Sequence, residues 1–179
     1  MDFLDTSMRA CLTTTFFTLV QAREFTVTLL DSFDPAIHIK CSDVKATVAQ
    51  HNNHATVFSL PCTKCLKDGK DVYCAAQPGT VNPISELKIH ISVNNLPANG
   101  HLFTYIYTGS HPPLTKNTFL NWLNTIAVLL GLKSLKGHAV HINGTLEYLL
   151  WGVPFNIIKS MGQWLSDAFT LYLCMHTVM

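Results

Sequence analysis

Gly137-His138-Ala139-Val140-His141-Ile142-Asn143-Gly144-Thr145 is followed by Gly152-Val153-Pro154, Gly162-Gln163-Trp164, Ser166-Asp167-Ala168-Phe169 and Tyr172. A turn glycine and two histidines lead into a helical pattern from about Asn143 to Leu150, with His138 and His141 readable as its N-terminal cap pair. Gly152-Val153-Pro154 breaks that pattern. A further helix is expected over Phe155 to Met161, and a last one from Ser166-Asp167, carrying Phe169, Tyr172 and Leu173.

Upstream, Thr115 to Leu130 reads as a helix capped by Thr115, with Phe119, Leu120, Leu123, Ile126, Ala127 and Leu130 as a core stripe. Asn82-Pro83 opens another helix, and Asn94 to Gly100 reads as a loop. His38 to Val44, Ala55 to Leu60 and Asp71 to Ala75 read as strands of a small antiparallel sheet, with Ala49 to His54 as the first turn. Residues 8 to 20 have helical spacing. The order is helix, sheet, then helices.

The chain has 179 residues, 48% hydrophobic and 13% charged, which suits one globular domain with a sizeable core. The net charge of +1 gives no electrostatic footprint for nucleic acid. Of the 12 basic residues only Arg9 and Arg23 are arginines, and arginine is the usual bidentate partner of phosphate. No apolar run is long enough to span a bilayer, and no basic start leads into an apolar stretch as in a secretion signal. A nuclear or cytoplasmic place with reduced cysteines is therefore expected.

The quoted segment resembles the tyrosine recombinase, or phage-integrase-like, superfamily, and within it the recombinase-like proteins of mobile elements in basidiomycete fungi. Their pattern runs Gly-His-x-x-Arg-Ile-Gly, a helix, Gly-Val-Pro, Gly-Arg-Trp, Ser-Asp-Ala-Phe, and a tyrosine three residues on. The resemblance is dense over residues 137 to 173 and extends more weakly back to Thr13. It implies an α+β, mostly helical catalytic domain with a small three-stranded antiparallel sheet. It also implies that the chain is a single truncated catalytic domain over residues 1–179, without the N-terminal core-binding domain of relatives or the tail they exchange between protomers.

In that family a tyrosine attacks a DNA phosphodiester and forms a phosphotyrosyl bond. Two arginines hold the non-bridging oxygens, a hairpin lysine protonates the leaving oxygen, and a His or Trp completes the cradle. Carried over by motif, Tyr172 matches the nucleophile, Lys64 the hairpin lysine, His138 the first residue of His-x-x-Arg, and Trp164 the His/Trp position. Both arginine positions depart from the pattern. His141 stands at one. The other belongs to Ala-Arg-x-Gly-Glu-Phe-Thr; the ungapped register puts Gln21 there, and a two-residue deletion would put Arg23 there instead. Losing one charged transition-state contact costs on the order of 3 kcal/mol, roughly a hundredfold in rate.

The replacements share a pattern. Gln21, His141 and Gln163 stand where the family has arginine, and Cys62, Trp151 and Cys174 where related proteins are often basic. Arginine CGN codons become Gln, His, Cys or Trp by single transitions, so decay of CG dinucleotides in a silenced repeat is one hypothesis for all of them. It fails if those codons in the gene are not each one transition from CGN.

The resemblance implies a degenerate recombinase or integrase needing no metal or nucleotide, with double-stranded DNA as a weak partner, a homo-oligomer on DNA, and no membrane. The alternatives are a non-catalytic DNA-docking or protein-interaction module, or a decaying remnant. Read without the family, Tyr172 is a half-buried helix residue and Lys64 a solvated hairpin lysine. His51, His54, Cys62 and Cys65 spell a zinc set, but their spacing is short and they sit on the expected hairpin, so no metal is expected. No Gly-rich phosphate loop or Ser/His/Asp signature is present.

Overall fold

In the computed structural model, which describes residues 2–48, 54–63, 66–135 and 137–164, Asp2 caps the first helix. Its carboxylate accepts from the Leu4 and Asp5 amides at 2.8 and 3.1 Å, and α1 runs Phe3–Thr18, earlier than the apolar spacing alone suggests. α1 is the central element and is buried around most of its circumference. Small side chains make this possible: Ser7, Ala10 and Cys11 allow close approach. Three of its buried threonines, Thr6, Thr13 and Thr18, bond back to carbonyls along the chain, as Thr18 Oγ1 does to the Thr14 carbonyl at 2.7 Å.

A short 3-10 turn, Ala22–Glu24, follows, and then the sheet: β1 Val44–Val48, β2 His54–Leu60 and β3 Lys70–Ala75, antiparallel in the order β1-β2-β3. Thr56, Phe58 and Leu60 alternate inward along β2. The first strand lies several residues later than its expected place at His38 to Val44. Lys40 donates its amide to Asp43 Oδ2 at 2.9 Å, which closes a 3-10 turn over Cys41–Asp43 and delays pairing until Val44 meets Phe58.

Four more helices complete the described chain: α2 Pro83–Asn94, α3 Lys116–Leu129, α4 Gly137–Leu150 and α5 Phe155–Met161. Asn82 and Thr115 cap α2 and α3 as their positions before the helices predict. α4 begins earlier than expected, so His138 and His141 lie inside its first turns and not before it. The helix expected after Ser166 lies outside the described residues.

The core centres on Phe25, which meets Phe58 and Phe103 edge-to-face at 5.7 and 5.6 Å. α4 closes on the C-terminal end of α1 through Gly144. A Cβ there would lie 2.5 Å from the Phe16 carbonyl oxygen, so only glycine allows this approach. Tyr148 adds a hydrogen bond from its hydroxyl to the Phe17 carbonyl at 2.8 Å.

The expected α3 stripe is only partly core. Phe119, Leu123 and Ala127 are buried, but Leu130 is 67% exposed and Ile126 38%. Both border an open apolar groove of about 240 Å³ between α3, α1 and the start of α4. Among the described residues no helix is long and apolar enough to cross a membrane.

Candidate active site

The end of α5 sets the first half of the site. Gln163 adopts a left-handed conformation, φ 55°, and the Trp164 amide folds back to the Lys159 carbonyl at 3.1 Å. This reversal lays the Trp164 indole on the first turns of α4. There it stacks on His141 with ring centroids 4.5 Å apart and planes at 15°, while His138 meets it edge-on at 6.2 Å. His138 and His141 are themselves 6.1 Å apart.

His141 is 1% exposed. Burial, and secondarily the nearby His138, push its pKa down to about 4. The Gly162 backbone lies against the ring and opposes this shift slightly, yet neither ring nitrogen reaches a partner with hydrogen-bond geometry. At neutral pH His141 is therefore an uncharged ring in a stack. Nothing in it forks onto a phosphate as a guanidinium would.

The stack depends on Gly162. A Cβ there would lie 2.5 Å from Trp164 Nε1 and 3.0 Å from His141 Nε2. Gly162→Ala is expected to displace the indole and cost about 1–3 kcal/mol. Chemical denaturation would give the stability, and Trp fluorescence the loss of the stack. A change below about 0.5 kcal/mol would show that the stack is dispensable.

The second half is a polar cleft of about 410 Å³. Arg23, Glu24 and Thr26 border it on one side, Cys62 and Thr63 on another, and Lys116 and Asn117 at the start of α3 on a third. Arg23 Nε pairs with Glu24 Oε1 at 3.3 Å. Gln21, half-buried, precedes the 3-10 turn and is not among the residues bordering the cleft. Thr63, after β2, borders the cleft, and Leu66, before β3, borders a hollow with Gln163 and Trp164. Lys70 fixes the hairpin to α5 through a 3.0 Å bond from Nζ to the Ser160 carbonyl. The 3-10 turn carrying Arg23 also packs on α4.

Lys64 and Tyr172 lie outside the described residues, as do His51 and Cys65 of the four-residue zinc set. Among the described residues no group of three or more His, Cys, Asp or Glu could hold a metal. The structure thus brings together His138, His141 and Trp164 from the motif. It adds Lys116, which no motif named, and gives Gly162 of the quoted motif a packing role. Lys116 had one weak signal, a cation at the first position of a clearly capped helix.

Comparison with protein-family models gives no match, and comparison with curated proteins gives none either. Solved structures do match. An FLP recombinase–Holliday junction complex superposes with a TM-score of 0.57 at 12% identity over 93% of this chain and 40% of that one. An Flpe–Holliday junction complex gives 0.60 at 13% identity over 94% of this chain and 41% of that one. The chain therefore spans about 40% of the length of these neighbours. At such identities the likeness concerns the backbone. The domain has a tyrosine-recombinase-like fold, α+β and mostly helical.

Proposed function

We propose that this chain corresponds to the catalytic part of a tyrosine recombinase of mobile-element origin, that it engages duplex DNA weakly, and that its strand cleavage is impaired. The observation that carries this reading is the neutral His141–Trp164 stack, in a fold shared with recombinases solved on Holliday junctions. In the proposal Tyr172 is the nucleophile, Lys64 the proton donor to the leaving oxygen, and His138 and Trp164 line the phosphate. Arg23, bordering the cleft beside Thr63, takes the first arginine's part in preference to Gln21. It does so at a discount, because Glu24 already pairs with it. The second arginine's part has no holder, since His141 is uncharged.

One missing guanidinium costs on the order of 3 kcal/mol, so cleavage should run at least roughly a hundredfold below that of an intact site. A suicide DNA substrate tests this. A slow covalent adduct is expected, abolished by Tyr172→Phe. Stoichiometric adduct within the dead time of mixing would sink the impairment. A salt-sensitive mobility shift with no adduct at any DNA concentration would leave a non-catalytic docking module. Neither adduct nor shift would leave a remnant.

A further inference from the structure

Arg23 in the cleft is paired with Glu24, yet the cleft holds a second cation. Lys116 borders the same 410 Å³ cavity as Arg23 and Thr63. Its place there is fixed by backbone pairing. The Lys116 amide donates to the Val27 carbonyl at 2.9 Å, and the Val27 amide donates to the Leu114 carbonyl at 3.0 Å. Thr115 and Val27 form a parallel bridge, and Thr115 Oγ1 accepts from the Thr118 amide at 3.1 Å. The start of α3 is thereby stitched to the segment just after Arg23.

Charge separates the two cations. Arg23 sits 3.3 Å from Glu24, so that pair contributes little net field. The ion pairs among the described residues are Arg9–Glu86, Arg23–Glu24 and Lys40–Asp43. Lys116 belongs to none of them. Among the described residues that border the cleft, Arg23 at +1, Glu24 at −1 and Lys116 at +1 sum to +1, supplied by Lys116.

We infer that Lys116 is the principal phosphate-binding cation of this cleft, holding one non-bridging oxygen of a DNA phosphodiester from the α3 side. This rests on the reading of the domain as one that engages DNA. A lysine is a point charge on a flexible stem and cannot fork onto two oxygens. It therefore supplies affinity without the transition-state geometry of the lost guanidinium. Asn117 borders the same space and can add a hydrogen bond to the phosphate, while Thr63, whose amide donates to the Leu66 carbonyl at 2.8 Å, forms part of the wall.

Binding of a fluorescent DNA duplex across a salt series tests it. In Lys116→Gln the slope of log K against log salt should fall in magnitude by about 0.9, by the same amount for unrelated sequences. Lys116→Arg should keep the wild-type slope, and so should Lys88→Gln, which removes an exposed charge on α2. A wild-type protein that binds DNA with a slope unmoved by Lys116→Gln overturns the inference and leaves the functional reading standing. If the wild type binds no duplex, the functional reading falls, and inorganic phosphate then probes the cleft by NMR. Amide shifts at Thr63 and Asn117 that vanish in Lys116→Gln would still uphold the anion site, and no shifts would overturn it.

Discussion

Asn94→Ala should destabilise the domain by about 3–5 kcal/mol, a large share of the 5–15 kcal/mol typical of a domain. Asn94 ends α2 and is fully buried. Its amide nitrogen donates to the Phe3 carbonyl at 3.2 Å and to His90 Nδ1 at 3.0 Å. Its amide oxygen accepts from the Ile106 backbone at 2.9 Å. One side chain therefore ties the start of α1, the body of α2 and the loop before α3. Alanine leaves the Ile106 amide, the Phe3 carbonyl and the His90 nitrogen without that partner, away from water, and each orphaned group costs about 1–3 kcal/mol. Asn94→Asp should fare no better, because a carboxylate cannot donate to the Phe3 carbonyl or to His90. Denaturant midpoints read at constant m would measure the loss. A loss under 1 kcal/mol would mean that water or a shifted side chain replaces all three bonds.

The same residue shows where sequence reasoning stopped. Asn94 reads as the first residue of a loop, because asparagine after a helical pattern marks an end. Its partners lie 91 residues away at Phe3 and 12 away at Ile106, and no local pattern records them. Elements set by local chemistry were legible. α5 falls on Phe155–Met161 as read, because Pro154 and Gly162 bound it, and α3 starts after Thr115 because the hydroxyl caps it. The site divides in the same way. His138, His141 and Trp164 were named by motif, and the fold brings them within 6.2 Å ring to ring. The ungapped register favoured Gln21 over Arg23, whereas Arg23 and not Gln21 borders the cleft, a placement that spacing does not record. Lys116 joins the cleft only through the Val27 bridge, a tertiary pairing. The requirement for Gly162 arises from the space between two rings, which sequence does not describe.

Mild acid should destabilise the fold well before most carboxylates titrate. His90, His101 and His141 are all buried, with pKa values pushed down from 6.5 to about 4, 3 and 4, in each case chiefly by burial. His90 has a second reason to stay neutral. Its Nε2 bonds the Leu102 carbonyl at 3.0 Å, so it carries the proton, while Nδ1 accepts from Asn94 and has no room for another. His101 accepts the Phe103 amide on Nδ1 and faces the rings of Phe33 and His38. The folded pKa values lie below the unfolded one, so the unfolded chain binds protons first. Stability is therefore full above pH 6.5 and declines as pH falls toward 4, each unit of pKa difference being worth about 1.4 kcal/mol per histidine. Thermal or denaturant midpoints between pH 7.5 and 4 would trace the fall. His141→Phe keeps a ring against Trp164 and removes one of the titrating groups, so its profile should be shallower than wild type over the same window. A wild-type profile flat from pH 6.5 to 4.5 would mean that the histidines are hydrated and charge freely. A fall as steep in His141→Phe as in wild type would clear His141 and leave the decline to His90 and His101.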